Sequence, residues 1–228
     1  RRIHRDLTLS TYWAVDLGAT SGRVMSIRLE QGRVSLDELF RFRNEPQEID
    51  GVLSWDVAAL WEQTIVGLGL AADHARSRGD AVAGLGVDTW GVDFGLVKTD
   101  GELAAPVRHY RSATTEAFER AQRLMTARSL FGHSGVTPMD INTACRLGDA
   151  IADSGVPAEE LTMLLTPDLW TFWLTGTRGA ELTIAGTTSL IDVLGRSWDL
   201  DVAGALGIDP RVLPALEMPG STAGPLLG

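Results

Sequence analysis

The stretch Asp16-Leu17-Gly18-Ala19-Thr20-Ser21-Gly22-Arg23 follows directly on the apolar run Tyr12-Trp13-Ala14-Val15 and runs into Val24-Met25-Ser26-Ile27-Arg28-Leu29. It reads as the turn of a β-hairpin, with Met25, Ile27 and Leu29 alternating along the return strand. Its composition suits a phosphate. Small residues let backbone N–H groups come close to phosphate oxygens, Thr20 and Ser21 add hydroxyl donors, and Arg23 adds a charged fork. The same residue types also serve any tight β-turn, so the loop alone leaves both readings open. A P-loop or a dinucleotide-binding glycine loop leads into a helix, whereas this loop leads into a strand.

A second segment, Gly86-Val87-Asp88-Thr89-Trp90-Gly91-Val92-Asp93-Phe94-Gly95, repeats the pattern of an apolar strand that ends in an aspartate. Trp90 and Gly91 occupy the connection to the next strand, Phe94 to Val97. The two segments together resemble the FGGY carbohydrate kinase family, and the Asp-Thr-Trp-Gly form is similar to its rhamnulokinase branch. Tyr110-Arg111, Asn142-Thr143, Pro167-Asp168, Leu174-Thr175-Gly176, Thr187-Thr188 and Trp198-Asp199 extend the resemblance over residues 12 to 228.

The resemblance implies an α/β fold, a ribonuclease H-like (actin-like ATPase) domain with a mixed sheet flanked by helices. It implies ATP and Mg2+ as nucleotide and metal. Ala19, Thr20, Ser21, Gly22 and Arg23 are then expected at the β- and γ-phosphates, with Asp16 near magnesium through water. Asp88, Trp90, Gly91 and Arg111 are expected on the sugar side, with Gly91 offering backbone and Trp90 a flat apolar wall. The implied reaction is phosphorylation of L-rhamnulose to L-rhamnulose 1-phosphate. Xylulose, fuculose or gluconate as acceptor, or a non-catalytic sugar- or nucleotide-binding module, are the alternatives.

Two departures from the family pattern bear on the sugar. Many members carry Asp and then Ser-Arg-Thr after Tyr-Arg, where this chain has Ser112-Ala113-Thr114-Thr115; and Arg146 stands where they have Gln. The phosphate loop is not affected. Kinases of the family are built from two such domains, with the catalytic base, a second phosphate segment and the adenine pocket in the second. Residues 11–228 are therefore expected to be the N-terminal domain, residues 1–10 an extension, and the isolated chain inactive because no base reaches the attacked hydroxyl.

Bulk composition agrees with a globular domain. The chain has 228 residues, 44% of them apolar, enough to bury a full core. Thirty acidic against twenty basic residues give a net charge of −10, which disfavours nucleic acid or an anionic membrane as partner. Lys98 is the only lysine, so phosphate contacts must rest on arginine, backbone and metal. Cys145 is the only cysteine, which excludes an internal disulfide, and His4, His74, His109 and His133 show no zinc spacing. No apolar run approaches the ~18 residues of a membrane span, and Arg1-Arg2-Ile3-His4-Arg5-Asp6 lacks a signal-peptide core; a cytoplasmic protein is the expectation.

Periodicity predicts strands over 12–17, 23–30 and 33–42, with a hairpin turn at Gln31-Gly32. Asp56 is a candidate N-cap for a long helix ending near Gly79, whose apolar face reads Val57, Leu60, Trp61, Ile65, Leu68 and Ala72. Gly67 and Gly69 are read as sites of close packing between that helix and the sheet. Strands at 82–88 and 93–98 follow, then helices at 114–127, 143–152, 157–161 and 167–174, with 182–193 undecided between strand and irregular chain. A short helix is read at 199–206. The Pro- and Gly-rich tail from Pro214 reads as a connection.

Overall fold

The computed structural model describes residues 10–227, so the basic tip with His4 lies outside the described residues. In chain order the elements are β1 (Ser10–Leu17), β2 (Ser21–Glu30), β3 (Arg33–Arg43), β4 (Gln47–Ile49), β5 (Val52–Ser54), α1 (Val57–Arg78), β6 (Val82–Thr89) and β7 (Phe94–Lys98). Next come α2 (Thr115–Leu124), α3 (Ala127–Ser134), α4 (Thr143–Ser154), β8 (Leu161–Leu165), α5 (Thr166–Thr175), β9 (Gly179–Glu181) and α6 (Leu182–Ala185). The last are β10 (Ile191–Asp192), β11 (Ser197–Trp198), α7 (Leu200–Ala205) and β12 (Ala215–Glu217). They fall into two compact units: the described residues up to Glu45 with Asp56–Trp90, and Pro46–Trp55 with the chain from Gly91 onward.

The first unit is a mixed sheet of order β3-β2-β1-β6. β1, β2 and β3 form an antiparallel meander, and β6 lies parallel to β1. The meander turns where the sequence calls for it: Gln31 and Gly32 take φ of 49° and 77°, the left-handed pair that matches strand twist. Asp56 caps α1 by accepting the Ala59 N–H at 3.0 Å, and Gly79 closes it in the left-handed region.

The buried face of α1 is Val57, Leu60, Thr64, Gly67, Ala71 and Ala75; it shares Val57 and Leu60 with the face read from the large side chains and from Thr64 on runs one residue ahead of Ile65, Leu68 and Ala72. Ile65, in that reading a core residue, is 46% exposed. The reason is the closeness of the sheet. A Cβ on Gly67 would lie 2.4 Å from Val24 Cγ2, so small residues face inward, while Gly69 has open space around it and no packing role.

The second unit is built on the antiparallel pair of β7 and β8, in which Phe94 pairs with Leu165 and Lys98 with Leu161. Met163, Leu165, Leu147, Leu190, Ile208 and Val212 are buried around it in one apolar cluster. The 161–165 strand, Leu-Thr-Met-Leu-Leu, is absent from the sequence reading; it follows a single 3-10 turn at Ala158–Glu160 where a helix was read. The helix read over 114–127 is two, because Met125 is extended and the Thr126 hydroxyl caps α3 by accepting the Ser129 N–H. The segment 182–193 resolves into a helical turn, a 3-10 turn and the short strand β10.

The tail, read as a connection, is tied to the second unit along the described residues. β12 pairs in parallel with β9, Trp198 Nε1 donates to the Pro214 carbonyl at 2.6 Å, and the Leu227 N–H donates to Leu174 at 2.8 Å. Among the described residues no helix is long and apolar enough to cross a membrane.

Candidate functional site

In the first unit the loop between β1 and β2 is closed by the Gly18 N–H donating to the Ser21 carbonyl at 2.9 Å. Asn44, just past β3, clamps it. Its side-chain N–H donates to the Gly18 carbonyl at 2.7 Å, and its backbone N–H to the Thr20 carbonyl at 3.1 Å. These bonds use the loop's carbonyls, and neither the Ala19 nor the Thr20 amide takes part in anchoring it. Ala19 and Thr20 stand exposed at the tip, while Ser21 is half-buried. Gly22 is buried for a packing reason, since a Cβ there would lie 2.3 Å from the Phe42 ring. A turn held through its carbonyls, with Ala19 and Thr20 exposed at its tip, leaves room for an anion at the tip.

One row of register partners crosses the sheet at the loop's base. Arg41 on β3 faces Arg23 on β2, Arg23 faces Asp16 on β1, and Asp16 faces Asp88 on β6. Residues directly opposite in a sheet share a face, so two guanidinium groups and two carboxylates stand in line. Arg23 and Asp16 form an ion pair through Nη2 and Oδ2. Arg41 is bonded to Glu38 at 2.9 Å, which holds the Glu38 carboxyl below its usual range, and its Nη1 reaches Ser21 Oγ at 3.3 Å. Asp88 is exposed. Asp16 and Asp88 are oxygen donors of the kind magnesium takes. Among the described residues no group of three or more His, Cys, Asp or Glu forms a metal cage, so magnesium here would lean on phosphate oxygens and water.

In the second unit Gly91 is followed by Val92 with φ of 65°, a left-handed conformation that a β-branched residue rarely takes. Three bonds hold it. The Val92 N–H donates to Thr187 Oγ1 at 3.1 Å, and its carbonyl accepts from Thr143 Oγ1 and from Arg146 Nη2, both at 2.8 Å. A Cβ on Gly91 would meet Thr187 Cγ2 at 3.0 Å, so any larger residue there presses on the side chain that holds Val92. Strain held by its surroundings is common where a backbone must be presented in one geometry.

Asp93 is fully buried beneath this turn. Its carboxylate accepts from Trp55 Nε1 at 2.7 Å, from the Tyr110 N–H at 3.1 Å and from Arg146 Nη2 at 2.8 Å. Trp55 stacks on His109 with ring centroids 4.1 Å apart. Burial pushes the His109 imidazole below its ordinary pKa, which suits Nδ1 accepting the Arg111 N–H at 3.0 Å. Arg111 is exposed and lies over the Tyr110 ring at 5.6 Å. The expected residues thus sort themselves: Asp16 to Arg23, Asp88 and Trp90 belong to the first unit, Gly91 and Arg111 to the second. Sequence reasoning missed Asn44, Thr187 as a backbone partner and the Asp93–Arg146 pair. Their contacts span 26, 95 and 53 positions, beyond any local pattern.

Comparison with known proteins gives this geometry a family. Residues 11–227 match the N-terminal domain model of the FGGY family of carbohydrate kinases. The chain is 34% identical over 221 residues to a rhamnulokinase from Enterococcus faecalis, covering 95% of this chain and 43% of that one. A rhamnulokinase from Bacteroides thetaiotaomicron is also 34% identical, with 94% and 44% covered. The chain therefore spans less than half the length of these relatives. A xylulose kinase structure from Rhodospirillum rubrum superposes with a TM-score of 0.81 at 17% identity, covering 95% of this chain and 45% of that one. A gluconate kinase from Lactobacillus acidophilus gives 0.80 at 14%, covering 96% and 44%. The fold is the ribonuclease H-like α/β fold of these kinases, with the mixed sheet that the family resemblance implied. On the match of nearly its whole length, the chain belongs to the FGGY family of carbohydrate kinases.

Proposed function

We propose that this chain is the N-terminal half of an ATP-dependent sugar kinase that phosphorylates L-rhamnulose at its terminal hydroxyl. The observation that carries the reading is the register of β1 with β6, which sets Asp16, at the phosphate loop, directly beside Asp88, the start of the sugar segment. Phosphoryl transfer requires the attacking hydroxyl and the γ-phosphate to be neighbours, and adjacent strand ends meet that demand. The names of the sequence relatives favour rhamnulose among possible acceptors.

In this reading the Ala19 and Thr20 amides, the Ser21 hydroxyl and Arg23 hold the β- and γ-phosphates. Arg23 already sits in an ion pair with Asp16, so nucleotide binding exchanges that partner for a phosphate oxygen. Asp16 would hold magnesium, which neutralises phosphate charge. The segment Asp88–Gly91 and the exposed Arg111 bind the sugar. The sugar oxygen forms the new bond to the γ-phosphorus, the bridging P–O bond to ADP breaks, and the hydroxyl proton passes to a base supplied outside this chain.

The test is phosphorylation by the full-length protein with ATP and magnesium across rhamnulose, xylulose, fuculose, gluconate and glycerol. Turnover on rhamnulose above the others is expected, with negligible turnover by residues 1–228 alone. Turnover on another sugar only would overturn the substrate; none on any polyol would overturn the kinase.

A further inference from the structure

The second unit holds a cavity of about 130 Å³ that neither the phosphate loop nor Gly91 and Arg111 lines. Phe94, Leu96 and Pro106 give it an apolar wall. The turn into α2 and one face of α4 give it a polar one. Ser112, Ala113 and Thr114 meet Arg146 there, so the two places where the sequence departs from its family pattern, far apart in the chain, converge on one cavity.

The charges in the wall are already matched. Arg146 pairs with Asp93 and Arg108 with Asp153, each at 2.8 Å, and Asp149 pairs with Arg120. A full charge entering the cavity finds no unpaired opposite, and an anion also meets the Asp149 and Asp153 carboxylates. Neutral hydrogen-bonding capacity remains. Thr114 Oγ1 accepts the Ala117 N–H and keeps its proton to donate, while Ser112 Oγ donates to the His109 carbonyl and keeps lone pairs to accept. A cavity of about 150 Å³ holds one benzene, so this one takes roughly six heavy atoms.

We propose that the cavity is a second binding site, for a small neutral polyol whose carbons lie on the apolar wall and whose hydroxyls pair with Thr114 and Ser112. The guanidinium that lines it also holds the Val92 carbonyl, so an occupant acts on the turn next to Gly91.

Glycerol titrated calorimetrically into the full-length protein, without ATP, tests this independently of the kinase reading because no phosphorylation is measured. Saturable binding is expected. It should weaken at least about tenfold, or roughly 1.4 kcal/mol, in Ala113→Phe and in Ala150→Leu, which fill the cavity from different walls, and persist in Arg111→Ala. Glycerate, similar in size but charged, should bind at least about tenfold more weakly. Whichever cavity-filling variant keeps its native melting transition decides the site. Undiminished glycerol binding in it, tighter binding of glycerate, or no saturable binding to the wild type overturns the proposal.

Discussion

The Asp16–Arg23 pair of the first unit and the Asp93–Arg146 pair of the second have the same chemistry and opposite surroundings. The side chains of the first are 31% and 39% exposed, those of the second 0% and 10%. An exposed pair is screened by water and contributes about 0–1 kcal/mol, so either partner is available to a ligand. A buried pair cannot be separated cheaply, because removing one charge strands the other. The difference separates the roles: the first pair is open to a ligand, which in the proposed function is phosphate, and the second holds Val92, Tyr110 and Trp55 in one geometry.

The widest break in that comparison is Asp93→Ala. It should cost about 3–5 kcal/mol, read as a lowered urea midpoint, against about 0–1 kcal/mol for Asp16→Ala. Equal losses would erase the distinction between the two pairs.

Asp168, in the first turn of α5, sharpens the contrast from another side. It is 5% exposed, its Oδ1 accepts the Glu181 N–H at 3.0 Å, and its Oδ2 has no partner among the described residues. Burial, with the Glu181 charge adding to it, pushes its carboxyl up to about 7. The native state keeps the proton where the unfolded chain releases it. The stability this confers is complete below the unfolded pKa near 4 and is lost as pH rises through about 7. The loss is at most about 4 kcal/mol. Asp168→Asn keeps an acceptor for Glu181 N–H and cannot titrate, so the wild type should lose stability relative to it between about pH 4 and 7. Parallel melting curves for the two proteins across that range would remove Asp168 as the cause.

Arg23→Ala addresses the exposed pair directly. In the full-length protein it should weaken ATP use by about 10- to 150-fold, the value of a charge-assisted bond of about 1.5–3 kcal/mol. Stability should move by no more than about 1 kcal/mol. A large stability loss with unchanged ATP use would make the pair structural, like its buried counterpart.

The first unit was legible in the sequence almost element by element because its signals are local. The Gln31-Gly32 turn, the Asp56 cap and the Gly79 stop each act within four residues, and the loop from Asp16 to Arg23 sits where its hairpin puts it. The second unit was less legible because distant partners shape it. Val92 takes its φ from Thr187, Thr143 and Arg146, none of which a window around Gly91 contains. The break between α2 and α3 did carry a local signal, the Thr126 cap, which the continuous polar helix pattern obscured.

The face of α1 shows the same contrast between covered and open positions within one helix. Gly67 and Gly69 look alike in sequence, yet a Cβ on the first would press on Val24 and Phe40 while one on the second would meet nothing. Gly67→Ala must push the helix off the sheet or distort Val24, and should cost about 1–3 kcal/mol. Gly69→Ala only removes backbone freedom from the unfolded chain and should stabilise by about 0.5–1 kcal/mol. Urea midpoints moving in opposite directions would tie the meander to a helix in backbone contact with it. Two stabilising substitutions would mean that α1 stands farther from Val24, and that large side chains such as Ile65 can take part in the core after all.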